Sequence, residues 1–311
     1  MAVVWQLSAV QFSGGTLLKG VLLSRSASKV RKRNAWSNFL NVSRSYFRKP
    51  CKRCRIVVAI DGATFFPLQT DDSGAFELEL QLTDFNEIAI LSDDHKQDIP
   101  VIQRYPVIFK NTESDISIIS DIDDTLLVSH TLSFRKRLGT LFFVPAHKRK
   151  PVSFIKSILD YVHERKGRVF YVSRSESNLF ALISSFIYHY NLPEGPISLT
   201  SYLRYNQLLD SKKGTDYKKN SIRKILQLAP EKRFLLLGDD TQNDMEVYAS
   251  IISEFPDQIV RIYIRKTMKK LNGSRQEQRK ALDEHAGKFC YFSDEDDVQK
   301  ALELIEKEYN A

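Results

Sequence analysis

Ile116-Ser117-Ile118-Ile119-Ser120 runs directly into Asp121-Ile122-Asp123-Asp124-Thr125. The first half reads as a short buried strand, and the second carries three aspartates and a threonine. Carboxylates crowded at the end of an apolar strand repel one another, so a fold avoids them unless a cation or a reaction uses them. From this point on, near-continuous apolar strands alternate with amphipathic helices, the pattern of a parallel sheet covered on both faces. Pro151 can sit in the first turn of a helix that carries Phe154, Ile155, Ile158, Leu159 and Val162. Gly167 punctuates, Val169–Val172 is the next strand, and Leu179, Leu182, Ile183, Phe186 and Ile187 mark another helix. Ile197–Leu199 is a short strand, and Ser221–Leu228 belongs to a helix that stops before Pro230. Phe234–Leu237 and Ile259–Ile264 are the last two strands, with a helix around Glu246–Ile252 between them and a final helix carrying Val298, Leu302 and Ile305.

Ahead of Ile116 the pattern differs. Thr16–Leu23 and Ile56–Ile60 are apolar, Asp61-Gly62 and Thr70–Gly74 are turns, and Phe76–Leu80 alternates with period two. Those signals predict a small antiparallel sandwich. The expected organisation is therefore a β-rich domain over residues 1–110, with a basic excursion at 25–55, followed by an α/β domain over 111–311. No internal repeat or low-complexity tail is visible.

Length and composition set outer bounds. The 311 residues are 42% hydrophobic and 27% charged, an ordinary globular balance. No apolar run reaches the roughly 18 residues that would cross a bilayer. The start lacks the basic n-region and long apolar core of a secretion signal, so a cytoplasmic protein is expected, with peripheral association at a membrane as a further possibility. Cys51 and Cys54 form a lone C-x-x-C, with only Cys290 besides, which falls short of a four-ligand zinc site and predicts reduced thiols in a basic loop. The net charge of +8 is concentrated. Arg25, Lys29, Arg31, Lys32, Arg33, Arg44, Arg48, Lys49, Lys52, Arg53 and Arg55 stand without an intervening acid, and Trp36, Phe39, Leu40 and Phe47 fall on one helical face among them. Such a segment meets a polyanion: an anionic membrane, a nucleic acid or an acidic protein face. It could equally be a solvated surface, with the aromatic face packed on the sandwich.

In a parallel sheet, ligands gather beyond the carboxyl ends of the strands. The residues found there are Asp121, Asp123, Asp124 and Thr125 after the first strand, Ser173 and Arg174 after the second, and Gly238, Asp239, Asp240, Asn243 and Asp244 after a later one. Hard oxygen ligands of this kind suit Mg²⁺ bridging a carboxylate to a phosphate. Any single aspartate here could instead cap a helix, Ser173 could be a turn residue, and Lys218 a solvated one; the set argues for chemistry. His130, His147 and His163 have no ligand spacing.

D-x-D-x-T after an apolar strand, Ser after the next, Lys opening a later helix and G-D-x-x-x-x-D after another strand form a series that resembles the haloacid dehalogenase-type phosphatases. Asp121–Thr125, Ser173, Lys218 and Gly238–Asp244 supply it in order. More closely, Ser120–Thr125, Tyr171–Leu179, Pro193–Leu199 and Gly238–Asp240 resemble the catalytic domain of the actin-patch-associated phosphatidate phosphatase family and its bacterial relatives. That family is also similar in front, where a β-rich region contains a Trp-bearing basic excursion. The resemblance implies Mg²⁺-dependent hydrolysis of phosphatidate to diacylglycerol and phosphate. Asp121 would be the nucleophile and Asp123 the acid and base. Asp121, Asp123 (through its carbonyl), Asp239 and Asp244 would serve the metal, while Thr125, Ser173 and Lys218 would serve the phosphate. Lys219 is adjacent and competes with Lys218 for that role. Where the family shows Ser-Ala-Ser-Pro-Trp-Asn, this chain has Arg174 and Glu176-Ser177 in place of Ala and Pro-Trp. These residues border the substrate entrance, so the reaction is better specified than the substrate. A soluble or polymeric phosphate ester is one alternative, and a non-catalytic module that binds phosphatidate or an anionic membrane is another. The stretches from Thr125 to Pro151 and from Ser173 to Lys218 leave no room for a large cap, which predicts a site open to bulky substrates such as a lipid headgroup.

Overall fold

Residues 2–24, 49–94, 97–122, 125–126, 151–200, 211–241, 243–268 and 271–310 are described by a computed structural model of the protein. The basic segment up to residue 48, with Trp36, Phe39, Leu40 and Phe47, lies outside the described residues, as do Asp123 and Asp124. The chain divides into two compact units. One comprises Met1–Asn111, Ser175–Ser185 and Leu199–Asp210; the other comprises Thr112–Arg174, Phe186–Ser198 and Ser211–Ala311.

The N-terminal unit is built on two sheets. β1 (Ala2–Phe12) pairs antiparallel with β2 (Gly15–Ser24), and β2 pairs antiparallel with β5 (Ala75–Leu80). β7 (Ile108–Phe109) closes the other edge of β1 in parallel. The second sheet places β3 (Arg55–Ile60) between β4 (Thr64–Gln69) and β6 (Ile88–Ser92), both antiparallel. Val4, Leu7, Leu18 and Leu22 of the first sheet share one core with Ile56, Val58, Ile60 and Ile90 of the second, as expected of a sandwich. Gly20 faces Phe76 across the β2–β5 pair, and a methyl group there would occupy the phenyl ring's place. Ser175–Ser185 belongs to this unit too: Trp5 Nε1 donates to the Ser177 carbonyl at 2.8 Å, and Tyr105 meets Phe180 edge-on at 6.0 Å.

Cys51 and Cys54 are joined in a disulfide, which corrects the expectation of reduced thiols and removes both from metal binding. The turn between them, with Arg53 at φ 49°, brings their Cα atoms to 5.8 Å. The Thr70 hydroxyl clamps both ends of that turn, accepting from Cys54 N at 2.9 Å and donating to Cys51 O at 2.6 Å.

The second unit is organised by β8 (Ile116–Ser120), every residue of which is buried. Its sheet runs in the order β10 (Ile197–Thr200), β9 (Val169–Glu176), β8, β11 (Arg233–Asp239), β12 (Ile259–Arg265), β13 (Phe289–Phe292). The pairs from β9 through β8, β11 and β12 to β13 are all parallel. The chain leaves β8 toward β9 and β10 on one side and returns to β11 on the other. The carboxyl end of β8 therefore lies at the switch point where α/β sheets open a crevice. Helix α1 (Ser153–Glu164) buries all five residues named for it, but Pro151 precedes its N-cap, Val152, rather than lying in the first turn. Among the described residues, the other α-helices are α2 (Phe180–His189), α3 (Ser211–Leu228), α4 (Asp244–Glu254), α5 (Gly273–Asp283) and α6 (Val298–Tyr309). α1 packs with α6, while α3, α4 and α5 form a second packed group. β12 is not the last strand, because β13 follows it at the sheet edge.

Gly195 lies where any side chain would drive into the Val169 carbonyl. Gly195→Ala should therefore cost about 1–3 kcal/mol, seen as a lowered unfolding temperature. Gly273→Ala, at the first position of α5 with nothing within 4 Å, is the matched control and should be neutral or mildly stabilising.

Candidate active site

β8 ends at Ser120, and the next residue, Asp121, is pinned by its amide to the Leu237 carbonyl of β11 at 2.8 Å. Parallel pairing keeps the two strand ends level, so Asp121 emerges beside Asp239, the last residue of β11. Asp244 opens α4 just after that strand, and its Oδ2 accepts from the Asp239 amide at 3.3 Å. Asp121, Asp239 and Asp244 are all fully buried, and one carboxylate oxygen from each lies within 4.8 Å of the others.

Lys218 enters this cluster from α3. Its Nζ donates to Asp121 Oδ1 at 2.7 Å and to Asp244 Oδ1 at 2.6 Å, and the residue is itself fully buried. Its ammonium also stands 5.6 Å from the centre of the Tyr248 ring. Burial alone would lower the Lys218 pKa, but the two carboxylates outweigh it and hold the pKa well above its ordinary value. Lys218 lies within α3, not at its opening. The helix begins at Ser211, seven residues earlier, over a polar stretch with no apolar periodicity to announce it. Lys219 points elsewhere, pairing with Glu254 at 2.9 Å, so of the adjacent lysines only Lys218 serves the cluster.

One ammonium does not balance three carboxylates. Burial and the Asp244 charge push Asp239 up from 3.8 to about 7, against the Thr241 hydrogen bonds and Lys218, which pull it down. Excess negative charge on hard oxygen donors in a dry pocket is what a divalent cation relieves, so the residues present fit a metal ion. Gly238 makes the cluster possible, since a side chain there would stand 2.7 Å from both Asp244 Oδ2 and the Tyr248 ring.

The other expected site residues fall in different places. The Thr125 hydroxyl donates to Asp239 Oδ2 at 3.3 Å, supporting the carboxylates directly. Ser173 is fully buried on β9, two residues past Tyr171, which pairs with Ser120. β9 continues to Glu176, so Ser173 and Arg174 lie within the strand instead of after it. Asp123 lies outside the described residues. Asp240, although adjacent to Asp239, takes no part in the cluster. It accepts from the Thr267 and Met268 amides at 3.0 and 3.2 Å and from Tyr291 Oη at 2.5 Å, tying down the chain after β12. Arg275 of α5 was not anticipated. Its Nη2 donates to the Thr241 carbonyl at 2.9 Å, while the Thr241 amide donates to Asp239 Oδ1 at 2.6 Å.

Residues 116–266 match the family described as phosphatidate phosphatase APP1, catalytic domain. That segment is similar to this family. The chain is 30% identical over 169 residues to phosphatidate phosphatase APP1 of Saccharomyces cerevisiae, a span covering 53% of this chain and 28% of that protein. An uncharacterized protein of Schizosaccharomyces pombe is 23% identical over 204 residues, covering 65% of this chain and 32% of that one. The chain thus spans less than a third of the length of either relative. Among solved structures, a mutant of the PilB minor pilin from Streptococcus sanguinis aligns over 99% of this chain and 78% of its own, at 12% identity and a TM-score of 0.32, a likeness too weak to bear on the fold. The matched segment contains Asp121, Thr125, Ser173, Lys218, Asp239 and Asp244; Arg275 lies beyond its end.

Two outcomes test the cluster. Lys218→Met strands two buried carboxylates and should cost about 3–5 kcal/mol in metal-free protein, measured by denaturant unfolding. Asp239 carries the pH dependence. Its raised pKa lets the folded state hold a proton that the unfolded state releases, so metal-free stability from this group is present below about pH 4 and lost as pH rises toward 7. A divalent cation competes with that proton. The cation-induced rise in Tm should therefore grow between about pH 5.5 and about pH 7.5, and Asp239→Asn should flatten that growth.

Proposed function

We propose that this chain is a Mg²⁺-dependent phosphomonoester hydrolase of the haloacid dehalogenase type, acting on phosphatidate to release diacylglycerol and phosphate. The observation that carries this reading is the buried Lys218 held between Asp121 and Asp244, with Asp239 alongside, at the carboxyl edge of a parallel sheet. Asp121, Asp239 and Asp244 would hold the Mg²⁺, which supplies neutralising charge to the phosphoryl oxygens. Lys218 keeps Asp121 ionised and its Oδ1 fixed in place. The Asp121 carboxylate attacks phosphorus in line, forming an aspartyl-phosphate as the bond from phosphorus to the alcohol oxygen breaks. Asp123, two residues on, gives that oxygen its proton. It then takes a proton from the water that attacks the aspartyl-phosphate, releasing inorganic phosphate and regenerating Asp121. Ser173 binds a phosphoryl oxygen, and Thr125 steadies Asp239 and the loop that carries the phosphate.

The β-rich domain at 1–110, with its basic excursion at 25–55, docks the enzyme on anionic lipid from the cytoplasmic side. The uninterrupted positive charge of that excursion supports this assignment over a nucleic-acid partner, because the same surface would carry the lipid substrate. None of the described helices is long and apolar enough to cross a membrane, which is compatible with peripheral attachment.

Phosphate release should be measured from phosphatidate vesicles, a soluble aryl phosphate and a 5′-phosphorylated oligonucleotide, with Mg²⁺ and with EDTA. The expected result is release from the vesicles in Mg²⁺, its loss in EDTA and in Asp121→Asn, and a drop of about 10²–10⁴-fold in Asp123→Asn. Release confined to the soluble esters would reject the lipid substrate. No release from any of them, with vesicle binding intact, would reject the enzyme.

A further inference from the structure

Helix α5 turns a mostly polar stripe inward. Arg275, Gln278, Arg279 and Leu282 follow the i, i+3, i+4, i+7 spacing of one helical face, and with Ala281 they are the residues of α5 at least partly shielded from solvent. Such a stripe is ordinarily apolar, but here only Leu282 is. The three polar members all lead to the chain that follows β11. Arg275 Nη2 donates to the Thr241 carbonyl at 2.9 Å. Gln278 accepts from Arg275 Nη1 at 3.0 Å, and its own Nε2 donates at 3.0 Å to Glu246 Oε2 on α4, two residues past Asp244. The Arg279 guanidinium stands 4.6 Å from the centre of the Tyr291 ring, whose hydroxyl donates to Asp240. The helix therefore grips the chain just after Asp239 and again just after Asp244.

Those two carboxylates are anchored differently. Asp244 is fixed by Lys218. Asp239 is held by the Thr125 hydroxyl on Oδ2 and by Thr241, whose amide and hydroxyl both donate to Oδ1. Thr241 is in turn held by Arg275. We propose that Arg275 and Gln278 form a clamp that sets the Asp239 carboxylate relative to Asp244, and thereby makes the carboxylate cluster discriminate Mg²⁺ from Ca²⁺. The proposal rests on the metal-dependent phosphatase reading and deepens it. Both are positioning residues, since they act through Thr241 and Glu246 and not on the ion. Mg²⁺ demands near-ideal octahedral geometry at short range, whereas Ca²⁺ accepts longer and more variable oxygen distances. A carboxylate held in place therefore favours Mg²⁺, and one allowed to shift favours Ca²⁺. Partners that orient a ligand from behind carry much of a metal site's affinity.

The test is calorimetric titration of the full chain, without substrate, with Mg²⁺ and separately with Ca²⁺. Gln278→Ala and Arg275→Met should each weaken Mg²⁺ by about tenfold and Ca²⁺ less, so that the Mg²⁺-to-Ca²⁺ affinity ratio falls severalfold. Gln278→Ala leaves the net charge unchanged. Losing the Arg275 charge alone would strengthen both ions alike, which is the opposite sign. Arg275→Lys keeps the charge but not the planar fork that reaches Thr241 and Gln278 together, and should recover little of the ratio. Thermal unfolding of the metal-free variants checks that each is folded; a purely structural role would lower Tm without moving the ratio. The clamp is overturned by a ratio unmoved in either Gln278→Ala or Arg275→Met, by equal weakening or equal strengthening of both ions, by full recovery in Arg275→Lys, or by an unmodified chain that binds neither ion. If the ratio falls as expected but the unmodified chain hydrolyses no phosphomonoester in Mg²⁺, the clamp stands and the phosphatase reading falls. Hydrolysis in Mg²⁺ with an unmoved ratio keeps that reading and rejects the clamp.

Discussion

The second unit depends on a lysine ammonium enclosed by carboxylates. Asp121, Lys218, Asp239 and Asp244 are all withdrawn from water, and three negative charges face one positive charge. Desolvating any one of them costs several kcal/mol unless its partners are well placed. Four separate elements therefore have to arrive together: the end of β8, the end of β11, the start of α4 and the middle of α3. Their arrival is secured by ordinary fold contacts. The Asp121 amide bonds to Leu237 O, Tyr248 Oη donates to the same carbonyl at 2.8 Å, and Gly238 leaves the gap that Asp244 fills. The surplus of negative charge left over is what a divalent cation would neutralise.

Neighbouring aspartates at the end of β11 show how strand geometry divides labour. Successive side chains at a strand end point to opposite sides. Asp239 is sent into the carboxylate cluster, and Asp240 is sent to the Thr267 and Met268 amides and the Tyr291 hydroxyl. One has its pKa raised to about 7 by burial and a like-charged neighbour; the other accepts the hydrogen bonds that hold the loop after β12. Composition alone cannot separate the two.

Much of this architecture was legible in the sequence, for identifiable reasons. Ile116–Ser120 and Phe234–Leu237 are buried throughout and read as short, mainly apolar strands, while the helix at Phe154–Val162 buries the five residues its spacing marks. Asp121, Thr125, Lys218, Asp239 and Asp244 converge because strand ends are where a parallel sheet places its ligands. Other elements were silent. β1 is almost wholly buried, so it shows no alternation, and β4 carries Pro67 on an exposed edge. α5 is polar enough that only Leu282 is buried, which hid both the helix and Arg275. The disulfide depends on a left-handed Arg53 and on Thr70, neither of which the C-x-x-C spacing reveals.

The centre of this site and its rim are held in place by different parts of the structure. The carboxylates and Lys218 sit at the centre of the sheet, locked by register and burial, where a single altered charge is costly. Arg174 sits where β9 leaves the central strands, and Arg275 hangs from a helix outside the matched segment, touching the centre only through the backbone of Thr241. A change at the rim leaves the Asp121–Lys218–Asp244 contacts untouched, provided that space is made for it, as Gly214 makes it for Arg174. Replacing a buried charge at the centre is therefore costly, whereas replacing one at the rim is not, because only the former is enclosed by opposite charges.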